Sequence, residues 1–170
     1  GRVAGVRTAT EWVSADVVVL ANAASAGPLA ATAGQELPIV EEPAVLLRFA
    51  CEPCPMHHLL YGEGLELRPA LGGGLASAAD LPATGEDGRA ELGVQTAAAI
   101  VRLFTAPLRL ATLSVHAAQR PMTLDGMPIR GFLGNTPGLY AVVAHPGVIL
   151  APYLGRLAAE EIMGVHGAEP

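Results

Sequence analysis

The chain has 170 residues, 51% of them hydrophobic and 15% charged, and a formal net charge of −6. That is enough for one domain or two small ones with a real core, and an acidic balance without any basic run disfavours nucleic-acid and anionic-membrane partners. All ten basic residues are arginine, which excludes a Schiff-base lysine and the Gly-Lys-Ser/Thr phosphate loop.

None of the four serines stands in Gly-x-Ser-x-Gly, the nucleophile turn of α/β-hydrolases. No apolar stretch reaches the roughly 18 residues of a membrane-spanning helix. A basic start followed by an apolar core, the mark of a signal peptide, is also missing. The opening GRVAGVRTAT has no methionine and reads as a strand already in progress, so a longer parent protein is expected.

In chain order, Val3–Arg7 and Trp12–Val13 read as a short hairpin. ADVVVLANA, residues 15–23, is a nearly continuous apolar run with β-branched residues, the pattern of a strand buried on both faces. SAGPLAATAG suits a short helix with Ser25 as its cap. From Leu37 to Leu81, short apolar runs broken by Pro and Gly read as antiparallel strands and hairpins. LPATGEDGRAE reads as a surface loop, Glu91–Phe104 as a helix stopped by Pro107, and LRLATLSVHAA as a further strand. Leu139–Ala144 is a second buried strand. It stops at His145, Pro146 and Gly147, and a helix with Ile149, Leu150, Leu154, Leu157 and Ile162 at helical spacing follows, ending at Gly164. This order predicts an α+β chain: a parallel α/β layer built from both chain ends, with an antiparallel-sheet domain inserted between them.

CEPCPMHH, residues 51–58, holds metal-type ligands, but a structural zinc site closes a longer loop between two ligand pairs. No metal is expected there. A disulfide is open to the cysteines in principle, and an intracellular compartment disfavours it. GGGL, residues 72–75, is not followed by a helix and reads as a turn. RPMTLDGMPIRG, residues 120–131, places Arg120 ahead of a stiff turn at Asp125-Gly126. Local chemistry admits two roles for Arg120: a fork on a ligand carboxylate, or a brace on Asp125. His145 likewise either meets a ligand at a strand end or packs beside the helix start.

RPMTLDGMPIRGFLGNTPGLYAVVAHPGVILAP, residues 120–152, resembles the C-terminal part of the D-amino-acid oxidase superfamily, which includes glycine oxidase, sarcosine oxidase and D-amino-acid dehydrogenase. The family pattern runs Arg-Pro, Asp-Gly-x-Pro, Gly-Leu-Tyr, an apolar strand, His-x-Gly and a helix with Ala-Pro. ADVVVLANAAS, residues 15–25, is similar to the family's strand and turn ADxVVxAAGxWS. Asn22 replaces the usual glycine and is expected to keep the left-handed turn; Ala24 replaces a common Trp. Ala118 lies where sarcosine oxidases carry a flavin-attaching cysteine, so the resemblance implies non-covalent FAD. The loop after His145 is too short to bring the second substrate arginine of glycine oxidase.

The resemblance implies that residues 1–36 and 116–170 are the C-terminal portions of a Rossmann-like FAD-binding domain and that residues 37–115 are the substrate domain. It implies oxidation of the C–N bond of an amino acid or secondary amine to an imine, in the cytoplasm. Arg120 would bind the substrate carboxylate. His145, Pro146, Gly147, Val148 and Ile149 would line the flavin ring, where the helix start steadies negative charge at flavin N1 and C2=O. The family's opening Gly-x-Gly-x-x-Gly, which holds the pyrophosphate, does not occur in this chain. The 170 residues alone are therefore expected to be inactive, and a non-catalytic scaffold is the rival reading.

Overall fold

The computed structural model describes residues 1–165 except 53, 55, 63 and 135. Its elements in order are β1 (Gly5–Arg7), β2 (Trp12–Ser14), β3 (Val18–Leu20), α1 (Ala26–Thr32), β4 (Ile39–Glu52), β5 (Leu60–Gly62), β6 (Leu65–Pro69), β7 (Leu75–Asp80), α2 (Arg89–Leu103), β8 (Arg109–Thr123), β9 (Ile129–Phe132), β10 (Leu139–Val143) and α3 (Gly147–Ile162). The architecture is mixed α+β. Gly1–Glu42 and the chain from Arg120 onward make one compact unit, and Pro43–Gln119 makes the other. Both divisions fall inside continuous strands, β4 and β8. No helix among the described residues is long and apolar enough to cross a membrane.

In the first unit β10 lies at the centre of a three-stranded sheet, parallel to β3 and antiparallel to β9. The two apolar runs of the sequence thus share a parallel pairing, with Leu139 opposite Val18 and Ala141 opposite Leu20. Leu139, Ala141 and Val143 join Leu20, Ala26 and Ala30 in one core, so α1 covers this face of the sheet. Small alanines on α1 let helix and sheet approach closely. β3 departs from expectation. Its strand is three residues long, and Val19 is 44% exposed, so it is not buried on both faces. Burial of a face depends on what packs above or below the strand, which an apolar run cannot signal.

Two local expectations are corrected beside it. Ser25 precedes α1 but its side chain makes no capping bond. Asn22 has φ −100°, and the left-handed residue is its neighbour Ala23, at φ 55°. An alanine in that region carries a steric penalty that glycine escapes. Ala23→Gly is expected to stabilise the chain by about 0.5–1 kcal/mol after glycine's greater loss of chain entropy. Urea unfolding of the two proteins checks this.

In the second unit the sheet order is β5-β6-β7-β4-β8. Leu47 pairs with Ser77, and Ser77 with Leu67, so alternate residues of β4, β7 and β6 share a face. Val45, Leu47, Phe49, Leu67 and Leu75 from that face pack with Ile100 of α2, all almost fully buried. The expected surface loop before α2 instead holds a short 3-10 turn, Gly85–Gly88, and α2 starts at Arg89. Arg89 ion-pairs with Glu86 there.

Candidate active site

The turn between β10 and α3 carries five of the sequence-nominated residues. Ala144, still buried, ends the strand core; His145 and Pro146 are exposed. Pro146 is the residue before α3, and no side chain caps the helix. The N–H groups of Gly147, Val148 and Ile149 therefore fall in the first turn, where a helix has no internal acceptors. The first later bond is Leu150 N–H to the Pro146 carbonyl, at 3.3 Å. Val148 is 91% exposed and Ile149 75%. A Cβ added at Gly147 would meet nothing within 4 Å. Backbone donors without a partner among the described residues, a partial positive charge and two bare apolar side chains thus share one exposed spot. This set fits the acceptor edge and face of a large planar ring. It does not fit a pyrophosphate, for which no glycine-rich turn into a helix exists among the described residues.

Arg120 lies in β8, where its extended backbone agrees with the following proline. Its Nη1 ion-pairs with Glu42 of β4 at 3.3 Å, and its side chain is only 22% exposed. Asp125 accepts a bond from the Met127 N–H at 3.0 Å, while Gly126 N–H closes the turn on Thr123. Glu42 was missed in the sequence. The only signal was two adjacent acids, Glu41 and Glu42, in an otherwise apolar run.

A second polar cluster also escaped the sequence. Tyr140 is fully buried, yet its O–H donates to Glu161 Oε2 at 2.7 Å. Arg130 of β9 ion-pairs with the same carboxylate, and Phe132 meets the Tyr140 ring edge-on at 5.0 Å. The cluster ties the C-terminal end of α3 to β9 and β10. Burial, then the bond to Glu161, raises the Tyr140 pKa. A folded pKa above the unfolded value means a stabilising contribution complete below about pH 10 and lost as pH rises through the raised value. Tyr140→Phe is expected to cost about 1–2 kcal/mol at neutral pH and to remove this alkaline loss. Thermal unfolding of both proteins from pH 7 to 11 tests it; a parallel decline in both would refute the assignment.

Cys51 and Cys54 are reduced thiols. Cys51 is pushed up to about 11, by burial first and by its neighbour Cys54 second, so it stays protonated at neutral pH. Cys54 Sγ donates to the Gly74 carbonyl at 3.6 Å. His57 and His58 are exposed. Among the described residues no three of His, Cys, Asp and Glu are grouped as metal ligands.

The family model described as FAD dependent oxidoreductase (DAO) matches residues 1–161. The chain belongs to this family. Family members use FAD. The chain is 30% identical to a glycine oxidase of Pseudomonas putida, covering 100% of its own length and 47% of that protein. Among solved structures it is similar to glycine oxidase from Geobacillus kaustophilus, with TM-score 0.71 and 21% identity over 95% of this chain and 45% of that one. L-amino acid deaminase from Proteus vulgaris gives TM-score 0.78 at 12% identity, covering 100% of this chain and 53% of the other. The chain thus spans about half the length of the relatives it matches.

Proposed function

We propose that the protein carrying this chain is an FAD-dependent oxidoreductase that oxidises the C–N bond of an amino acid or secondary amine to an imine. The observation that carries the reading is the bare first turn of α3 at the end of the central strand β10, in a chain of the FAD-dependent family. The glycine oxidase relatives favour an amine that bears a carboxylate. On this reading residues 1–36 and 116–170 are the C-terminal portions of the FAD-binding domain and residues 37–115 the substrate domain.

Bound FAD would supply the two-electron acceptor. The backbone N–H groups of Gly147, Val148 and Ile149 would hold its ring, with the side chains of Val148 and Ile149 excluding water, and His145 and Pro146 would complete the shell. Arg120 would bind the substrate carboxylate through its planar fork and so fix the direction of the Cα–H bond. Glu42 holds that guanidinium and would yield one face of it when a substrate carboxylate arrives. Water then hydrolyses the imine.

The test is turnover by the full-length protein on a panel of amino acids and secondary amines, read as oxo-product and released amine or ammonia. A flavin-loaded protein that turns over none of them would refute the substrate class. The 170-residue chain is a separate case, because it lacks the pyrophosphate cradle. Purified alone, it is expected to lose flavin on gel filtration; a yellow protein with about one flavin per chain after that step would contradict this.

A further inference from the structure

Cys51 lies in the last turn of chain before β4 ends, and Cys54 follows after two residues. Both thiols are half-buried, and both side chains pack against the same apolar core, that of Val45, Leu47, Phe49 and Met56. The Cys51 thiol bonds to the Cys54 sulfur. Cys54 in turn donates to the Gly74 carbonyl at 3.6 Å, in the turn between β6 and β7. That turn sits tight on β4, because a Cβ added at Gly74 would collide with the Phe49 carbonyl oxygen. Met56, two residues beyond Cys54, is buried in the core. The pair is thus held from both sides, by β4 at Cys51 and by Met56 after Cys54.

A disulfide needs two sulfurs already brought together, since its bond length and torsion are narrow. Here the fold has brought them together in the reduced protein. Oxidation would give up little. The Cys54 contact with Gly74 is a weak thiol bond, and the Gly74 carbonyl still accepts the Ala70 N–H at 3.0 Å. Half-buried sulfurs at a strand end can also be reached by a small reagent. Cys51 is pushed up to about 11 and keeps its proton at neutral pH, so Cys54 is the sulfur that reacts first and Cys51 the one that closes the ring.

We propose that Cys51 and Cys54 form a reversible dithiol–disulfide site, oxidised in the folded protein by small-molecule disulfides of the glutathione class. Cys54 loses its proton to solvent and attacks one sulfur of the small disulfide. That S–S bond breaks, one small thiolate leaves, and Cys54 carries the other half as a mixed disulfide. Cys51 then loses its proton and attacks the Cys54 sulfur, and the second small thiolate leaves. Two electrons pass from the cysteine sulfurs to the small disulfide, and two protons end on the two small thiols. The second attack is between sulfurs held side by side, so the mixed disulfide is short-lived. Disulfides that form and break in this way serve as redox sensors rather than as permanent cross-links. Closing the ring also removes the donor that ties Cys54 to the β6–β7 turn.

The experiment equilibrates the full-length protein with mixtures of reduced and oxidised glutathione, quenches it with acid, alkylates the free thiols and maps the peptide that spans residues 51–54 by mass. The expected result is a change from two alkyl groups to none, with a peptide lighter by two hydrogens, reversed by dithiothreitol. Cys51→Ser should stop with glutathione on Cys54. In urea, with the fold gone, the same mixtures should close the ring about 10-fold less completely. Two alkyl groups in every mixture would overturn the inference. So would glutathione standing stably on Cys54 in the parent protein. Equal closure in urea would overturn it as well, because the fold would then contribute nothing to the pairing. The parent-protein series decides the matter even where Cys51→Ser does not fold.

Discussion

Arg120→Ala in the full-length protein is expected to lower kcat/KM for an amino acid by roughly 30- to several-thousand-fold, the equivalent of about 2–5 kcal/mol for a charged and largely shielded contact. The side chain is 22% exposed and paired with the Glu42 carboxylate, which a substrate carboxylate would have to displace. The decarboxylated amine should lose far less, because it never used the fork. Arg120→Lys keeps the charge but not the two parallel donors and should also be harmful. Steady-state kinetics on both substrates decides the matter. Equal losses would mean that Arg120 acts only by holding Glu42 and the two strands together.

Gly138→Ala is expected to destabilise the first unit by about 2–4 kcal/mol. Gly138 stands just ahead of β10 at φ +84°, a conformation that costs an alanine energy even in open space. Here there is no space: an added Cβ would lie 2.5 Å from the Val3 carbonyl oxygen and 2.9 Å from that of Asp16. Both are backbone atoms, so no rotamer change relieves the clash. The Gly138 carbonyl also accepts the Val18 N–H at 2.8 Å, which couples the damage to the β3–β10 pairing. Gly147→Ala is the control, since its Cβ would meet nothing. Urea midpoints should fall sharply for the first variant and stay within about 0.5 kcal/mol of the parent for the second. Similar midpoints for both would refute the account.

Much of this molecule was legible in the sequence where the signal is local. β10 and α3 were read because an apolar run meets Pro and Gly and then changes period from strand to helix. The hairpins of β4 to β7 were read from their Pro and Gly punctuation. The failures are long-range. Glu42 meets Arg120 across 78 positions of sequence, and Tyr140 meets Glu161 across 21; neither pairing leaves a periodic trace. The burial of β3 was overread because an apolar run reports the wish for burial, not what packs against each face. Ala23 was misplaced by one residue because glycine marks a left-handed turn in sequence and alanine does not.

Pro152 lies inside α3 and has no amide proton, so the carbonyl of Val148 receives no helical bond from it. The opening turn is consequently joined to the remainder by one bond fewer than an unbroken helix would have. The remainder is anchored by buried Leu154 and Ala158 and by Glu161. Hydrogen exchange is expected to show residues 147–151 opening more readily than residues 153–162. The end of α3 that we propose meets the flavin ring would then be able to adjust to its ligand while the remainder of the helix keeps its place on the sheet.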